Sequence, residues 1–154
     1  MRKFLIVLFV SAVAFLSADK CRAQFSKLSF GDYGVSSIRP ESFRAVNGAV
    51  WLDVTNPMIG FKMSEITGVV YKNGRPFVSG TANDVYVPMG TSRVTVTGRA
   101  ALCSGASLWD VLALITFDPN DYTVDLSVRI TLDSGESRVV SQKNLPVSVL
   151  LKLM

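Results

Sequence analysis

The chain has 154 residues, 49% of them hydrophobic, with 16 Lys and Arg against 12 Asp and Glu and no histidine. Without histidine there is no Ser-His-Asp or Cys-His constellation, and the commonest zinc ligand is missing. Two cysteines are too few for a cysteine-rich metal site, and the length is that of one domain able to build a core without staples.

Arg2 and Lys3 precede a nearly unbroken apolar run from Phe4 to Leu16, then polar Ser17 to Lys20 and the triplet Cys21-Arg22-Ala23. This is the three-part layout of a cleavable export signal, and the run is shorter than the roughly 18 apolar residues of a spanning helix. Cleavage is expected after Ala23 (or one residue on, after Gln24), and a retained anchor is the alternative. Lipidation at Cys21 is disfavoured by Asp19 and Lys20 just before it. Loss of residues 1–23 removes four basic residues (Arg2, Lys3, Lys20, Arg22) and one acidic residue (Asp19), leaving 12 basic against 11 acidic. The basic balance therefore belongs to the leader, and a nucleic-acid surface is not indicated. Cys103 is then alone, so no intrachain disulfide can form. The mature chain, residues 24–154, reads as a single exported domain, periplasmic or extracellular, with no transmembrane segment.

Short alternating segments follow, separated by turn residues. Ala49 to Thr55 places Val50, Leu52 and Val54 on an inner face, with Asp53, Thr55 and Trp51 outside, until Asn56-Pro57 ends the strand. Ile66 to Tyr71 is a second strand, and Asn73-Gly74 is a type I′ hairpin signal. The return strand begins near Phe77, with Gly80 expected as a bulge. Val85 to Val87 is extended, Pro88-Met89-Gly90 turns, and Arg93 to Thr97 alternates with Val94 and Val96 inward.

Ser107 to Phe117 changes period: Leu108, Val111, Leu112 and Ile115 fall at helical spacing, with Ser104 or Ser107 as cap and Asp118-Pro119-Asn120 as stop. Tyr122 to Leu132 is the clearest strand. Asp133-Ser134-Gly135 turns it into Ser137 to Lys143, and Pro146 to Leu153 is expected as a last, buried strand. About seven strands and one short helix predict an all-β immunoglobulin or fibronectin type III-like sandwich, with a closed barrel as the structural alternative.

Candidate chemistry is sparse. Asp118, Asn120, Asp121 and Asp125 form the densest acidic cluster, but Tyr122 sits where a calcium loop needs a ligand and no suitable glycine follows. A glycosidase pair would need a sugar-shaped cleft between the carboxylates. Arg93, Arg99, Arg129 and Arg138 read as solvated outer-face positions. Trp109 is expected to pack on the sheet, and Trp51 is equally compatible with core and contact surface. No catalytic, cofactor-binding or metal residue is assigned, and no cofactor is expected. The surplus of apolar residues in the helix and the last segment raises one binding expectation, a cavity between sheets lined by Leu108, Leu112, Ile115, Val149 and Leu151.

Several segments in order resemble a known family. Val50-Trp51-Leu52-Asp53-Val54-Thr55-Asn56-Pro57, Ile66 to Gly74 through Tyr71-Lys72-Asn73, Val85-Tyr86-Val87-Pro88 and Ser92-Arg93-Val94-Thr95-Val96 are similar to the late embryogenesis abundant type 2 (water-stress and hypersensitive-response) domain. Met58-Ile59-Gly60-Phe61 departs from that pattern by being less polar. The resemblance implies a fibronectin type III-like sandwich without catalytic role, associated with stress protection, and related domains are linked to lipid handling near membranes. The expected function is thus an exported, non-enzymatic stress-protective or structural and interaction module with an unknown protein or lipid partner. An apolar-ligand or lipid carrier is the alternative.

Overall fold

The computed structural model describes residues 28–152, so the expected leader and its cleavage site lie outside the described residues. Eight strands run in chain order: β1 (Ser29–Ser42), β2 (Ala45–Asn56), β3 (Phe61–Lys72), β4 (Arg75–Ala82), β5 (Val85–Val87), β6 (Gly90–Leu102), β7 (Tyr122–Leu132) and β8 (Ser137–Pro146). A short helix α1 (Leu108–Leu112) continues as a 3-10 turn, Ala113–Thr116, between β6 and β7, and α2 (Val147–Lys152) follows β8. No helix among the described residues is long and apolar enough to cross a membrane.

All pairings are antiparallel, in the order β1-β2-β6-β4-β3-β7-β8, with β5 beside β3. β4 and β5 both pair with β3; the eight strands include β1, which alternation did not reveal, and exclude the expected last strand. Alternation decides the inner face. Val50, Leu52 and Val54 of β2, Val94 and Val96 of β6, and Tyr122 through Ile130 of β7 at every second position are all buried. These residues join Phe61, Met63 and Val70 of β3 in one core cluster, so the sheet bends over and its two halves bury their inner faces against each other. The result is an all-β, sandwich-like fold. β1 and β8 do not pair with each other, so the sheet is open and the barrel alternative falls.

The bend lies at β4, which pairs with β3 along its length and with β6 from Val78↔Leu102 to Ala82↔Gly98. Small residues line up across it, Gly68↔Gly80↔Ala100. A Cβ on Gly98 would come within 2.6 Å of the Thr81 carbonyl oxygen. Gly80 is not the expected bulge: it pairs in regular register with Gly68 and Ala100, and the register shift between β3 and β4 falls at Val70/Tyr71.

Asn73 and Gly74 both have positive φ (49° and 79°), as a type I′ turn requires. β1 was invisible as alternation because three register shifts interrupt it, at Phe30/Tyr33, Val35/Ser37 and Pro40/Ser42. β3 starts at Phe61 rather than Ile66, with Glu65 at φ 52° inside a bulge between Ser64 and Thr67. The last segment is a correction. Val147–Lys152 is helical, not a strand: a run apolar at nearly every position favours neither period, and one helical turn after Pro146 puts Val147 into the core at 1% exposure while Val149 stays exposed.

The register also sorts the connections. Ser42↔Ala45, Ala45↔Ala101, Val78↔Leu102, Lys72↔Tyr122 and Thr123↔Pro146 place the β1–β2 turn, the β3–β4 turn, α1 and α2 at one end, here called the helical end. The opposite end is tied by Asn56, 1% exposed. Its Nδ2 donates to the carbonyls of Ile59 (3.1 Å) and Pro88 (3.4 Å), and its Oδ1 accepts from the Met58 N–H (3.0 Å).

Gly98→Val is expected to destabilise the chain by about 1–3 kcal/mol, because the added atoms have nowhere to go but into the β4 backbone. Denaturant unfolding checks this, and an unchanged midpoint would mean that β4 and β6 do not approach as described.

Candidate interaction surface

The helical end is built from local signals. Ser107 is the cap of α1: its Oγ accepts from the Asp110 N–H (3.3 Å), and the Ser107 N–H donates back to Asp110 Oδ2 (2.9 Å), which closes a capping box. Lys72 Nζ stands 3.7 Å from Asp110 Oδ1. The Ser107 N–H, then its hydroxyl, hold the Asp110 carboxyl below its ordinary range against a small burial effect, and Lys72 adds to this.

Helix α1 and its 3-10 extension have two apolar faces. Val111, Leu114 and Phe117 pack against the core, and Phe117 stacks on Tyr122 with centroids 5.0 Å apart. Tyr122 in turn meets Phe77 at 6.1 Å. The other face is open to solvent: Trp109 is 78% and Ile115 82% exposed, with Leu108 and Leu112 beside them. Phe43, on the β1–β2 turn, is 80% exposed. The expectation that Trp109 packs on the sheet is thus corrected: Val111 and Leu114 take the inward positions and rotate Trp109 outward.

Of the residues expected to line a cavity between sheets, Leu108, Leu112, Ile115 and Val149 are all exposed on this end, and the side chain of Leu151 lies outside the described residues. The apolar cleft that does exist holds about 110 Å³ and is lined by Phe43, Val46, Phe77, Leu102, Val111 and Leu114, among others. Arg44 borders it, donating from its guanidinium to the Cys103 carbonyl (2.8 Å). Ligand pockets run to roughly 300–1,000 Å³, so this cleft is too small for a lipid chain. Sequence reasoning missed Phe43 and this cleft. A bulky apolar residue within a turn, Ser42-Phe43-Arg44, was the available signal.

The remaining polar candidates are already committed to one another. Asp118 Oδ1 accepts from the Asn120 N–H and Nδ2 (both 3.0 Å), and Asp125 Oδ1 accepts from the Asn144 N–H (2.8 Å). Those carboxylates therefore cap separate turns, and no group of three metal-ligating side chains is found among the described residues. Cys103 is a free, half-buried thiol. Arg93 forks onto Asp53 (2.7 and 2.9 Å) and lies 3.8 Å over the Trp51 ring, so Trp51 is an outer-face platform. Arg99 binds Glu41 (2.7 Å) and Arg129 binds Glu65 (3.0 Å). A polar cleft of about 460 Å³ on the β1-β2-β6 side includes Arg39, Asn47, Asn83 and Arg99. Asn47 and Arg99 are both held by Glu41, and Asn83 by Thr97.

No protein-family model matches the chain, and no curated protein is detectably similar in sequence. Among solved structures, a protein from Archaeoglobus fulgidus is similar at 16% identity and TM-score 0.47, over 75% of this chain and 94% of that one. The GAE domain of GGA2p from Saccharomyces cerevisiae is similar at 11% identity and TM-score 0.29, over 77% and 99%. Both scores are too low to carry an argument, and the fold assignment rests on strand order and burial alone.

Because the Asp110 carboxyl is depressed in the folded state, its contribution to the helical end is fully present above the unfolded-state value and is lost as pH falls through the folded one. NMR shifts of Leu108–Leu112, titrated from neutral to acid, should show α1 loosening below the ordinary carboxylate range. An Asp110→Asn chain should lack that step; the same step in Asp110→Asn would assign it to another group.

Proposed function

We propose that this chain is an exported, non-enzymatic sandwich module that works by contact through its helical end. The observation that carries the reading is the exposure of Phe43, Leu108, Trp109, Leu112 and Ile115 together at the helical end. Five large apolar side chains exposed at one end of a domain of this size mark a contact surface rather than a solvated face. Export is supported by the leader sequence at residues 1–23. A structural or stress-protective role is supported by the late embryogenesis abundant type 2 resemblance, whose Asn-Pro motif has a clear physical use here in the buried Asn56 network. The carrier alternative is less well supported, since a ligand would have to enlarge a cleft of about 110 Å³.

The reading predicts that the helical end is covered where the protein resides. Ile115→Cys, assayed in the native fraction with a bulky water-soluble maleimide and corrected for labelling of the unsubstituted chain, should react several-fold more slowly than Met89→Cys at the opposite end. Met89 is also highly exposed, so equal labelling at the two ends would sink the reading.

A further inference from the structure

We propose that the helical end docks on a second copy of this chain, as an isologous dimer about a twofold axis. This rests on the reading that the end is a contact surface, and names what covers it. Within residues 107–117 the one charged side chain is Asp110, and it is held by Ser107 and Lys72. Val111, Leu114 and Phe117 face the core, while Leu108, Leu112 and Ile115 face away from it. A helix apolar on both faces is covered on both.

The area fits a protein partner. With two large aromatic and three aliphatic side chains about half to four-fifths exposed, the patch presents on the order of 650 Å². A standard interface needs roughly 800 Å² per partner, rim included.

Charge then selects among occupants. Arg44, Lys72 and Arg75 stand at this end, as do Asp110, Asp118 and Asp121; Lys72 and Asp110 already hold each other, Arg44 is held by the Cys103 carbonyl and Asp118 by Asn120, which leaves Arg75 and Asp121 as the charges of either sign most open to a partner. Such a rim has no net sign. An anionic bilayer would favour a basic rim, and a strongly charged partner a rim of the opposite sign. A copy of the same surface is suited by both signs in equal number, because each can meet its opposite across the twofold.

Shape points the same way. The surface carries projecting side chains, Ile115 and Trp109, and beside them the cleft between Phe43 and Leu114. A cavity of about 150 Å³ takes a benzene molecule, so one of about 110 Å³ takes a single aliphatic side chain. Knob and hole on one patch are what a twofold contact requires, since each copy must offer what the other receives.

Sedimentation velocity of the chain as recovered from its native fraction tests this. The expected result is a concentration-dependent monomer–dimer equilibrium. Ile115→Asp, which alters a side chain that makes no core contact, should weaken it by about thirtyfold or more, as loss of a central contact residue does. Trp109→Ser should act in the same direction, and Met89→Asp should leave the equilibrium unchanged, with circular dichroism confirming that each variant is folded. A monomer at all concentrations, or a dimer indifferent to both helical-end variants, overturns the proposal. If the chain is monomeric but Ile115→Cys is shielded in the native fraction, the partner is another molecule: the dimer fails while the contact-surface reading stands. A blue shift of Trp109 emission on adding anionic phospholipid vesicles to such a monomer would make that molecule a lipid surface.

Discussion

Strand β4 has to serve two partners at once. It pairs with β3 along one edge and with β6 along the other, and so joins the two halves whose inner faces form the core. The row Gly68↔Gly80↔Ala100 keeps the side chains along β4 small, and Gly98 presents bare backbone to the Thr81 carbonyl, where a Cβ would come within 2.6 Å. Glycine within a strand costs backbone entropy and forgoes packing, so its gain must come from the close approach itself. Once β4 is in place, the inner faces of β2 and β6 oppose those of β3 and β7, and valines at every second position fill the space between. The position of α1 follows: it bridges the end of β6 and the start of β7, which lie in opposite halves, and must therefore cross the helical end of the sandwich.

Legibility in the sequence tracked one-sided burial. β2, β6 and β7 each bury one face against the core and leave the other in water, so their period of two is written in residue type. β1 lies at the sheet edge, where its burial is partial and its bulges reset the alternation, so neither face imposes a pattern. Glu65 at positive φ hid the first part of β3 in the same way. The C-terminal segment failed for a different reason. Val147 to Leu151 is apolar at nearly every position, and a run without contrast cannot distinguish period two from period 3.6; the burial of Val147 fixes the segment against the core. For α1 the helix was legible but its orientation was not. Leu108, Leu112 and Ile115 make as good a stripe as Val111 and Leu114, and the ends of β6 and β7, not the sequence, choose between them. The exposed stripe, and with it the candidate surface, follows from that choice.

The two ends of the molecule are finished differently. At the opposite end, polar groups close the turns: Asn56 satisfies three backbone partners, and the Tyr86 hydroxyl donates to Asp133 (2.8 Å) across a gap that only Gly60 leaves open. At the helical end the seal is aromatic, with Phe77, Tyr122 and Phe117 in sequence, and the layer outside it is apolar again. The helical end thus presents an apolar layer beyond its aromatic seal, while the opposite end combines its polar closure with exposed Met89 and Tyr86.

The rest of the surface discourages association. β1 is broken by bulges and carries Pro40, while β8 ends in a positive-φ Asn144 and Pro146 and bears Arg138 and Lys143, all familiar ways of blunting a free edge. On the outer faces, Arg93 meets Asp53 on the adjacent β2, Arg99 reaches across β2 to Glu41 on β1, Arg129 meets Glu65 in the β3 bulge, and Trp51 is roofed by Arg93. Exposed pairs of this kind add little stability, but a guanidinium already forked onto a carboxylate is a poor recruiter of a new anion, and an indole under a guanidinium is no longer a bare apolar surface. Apolar side chains are exposed elsewhere too, among them Tyr33, Tyr86 and Met89, but the most exposed of them, Phe43, Trp109 and Ile115, gather at the helical end, which is where the proposed contact draws its free energy of water exclusion.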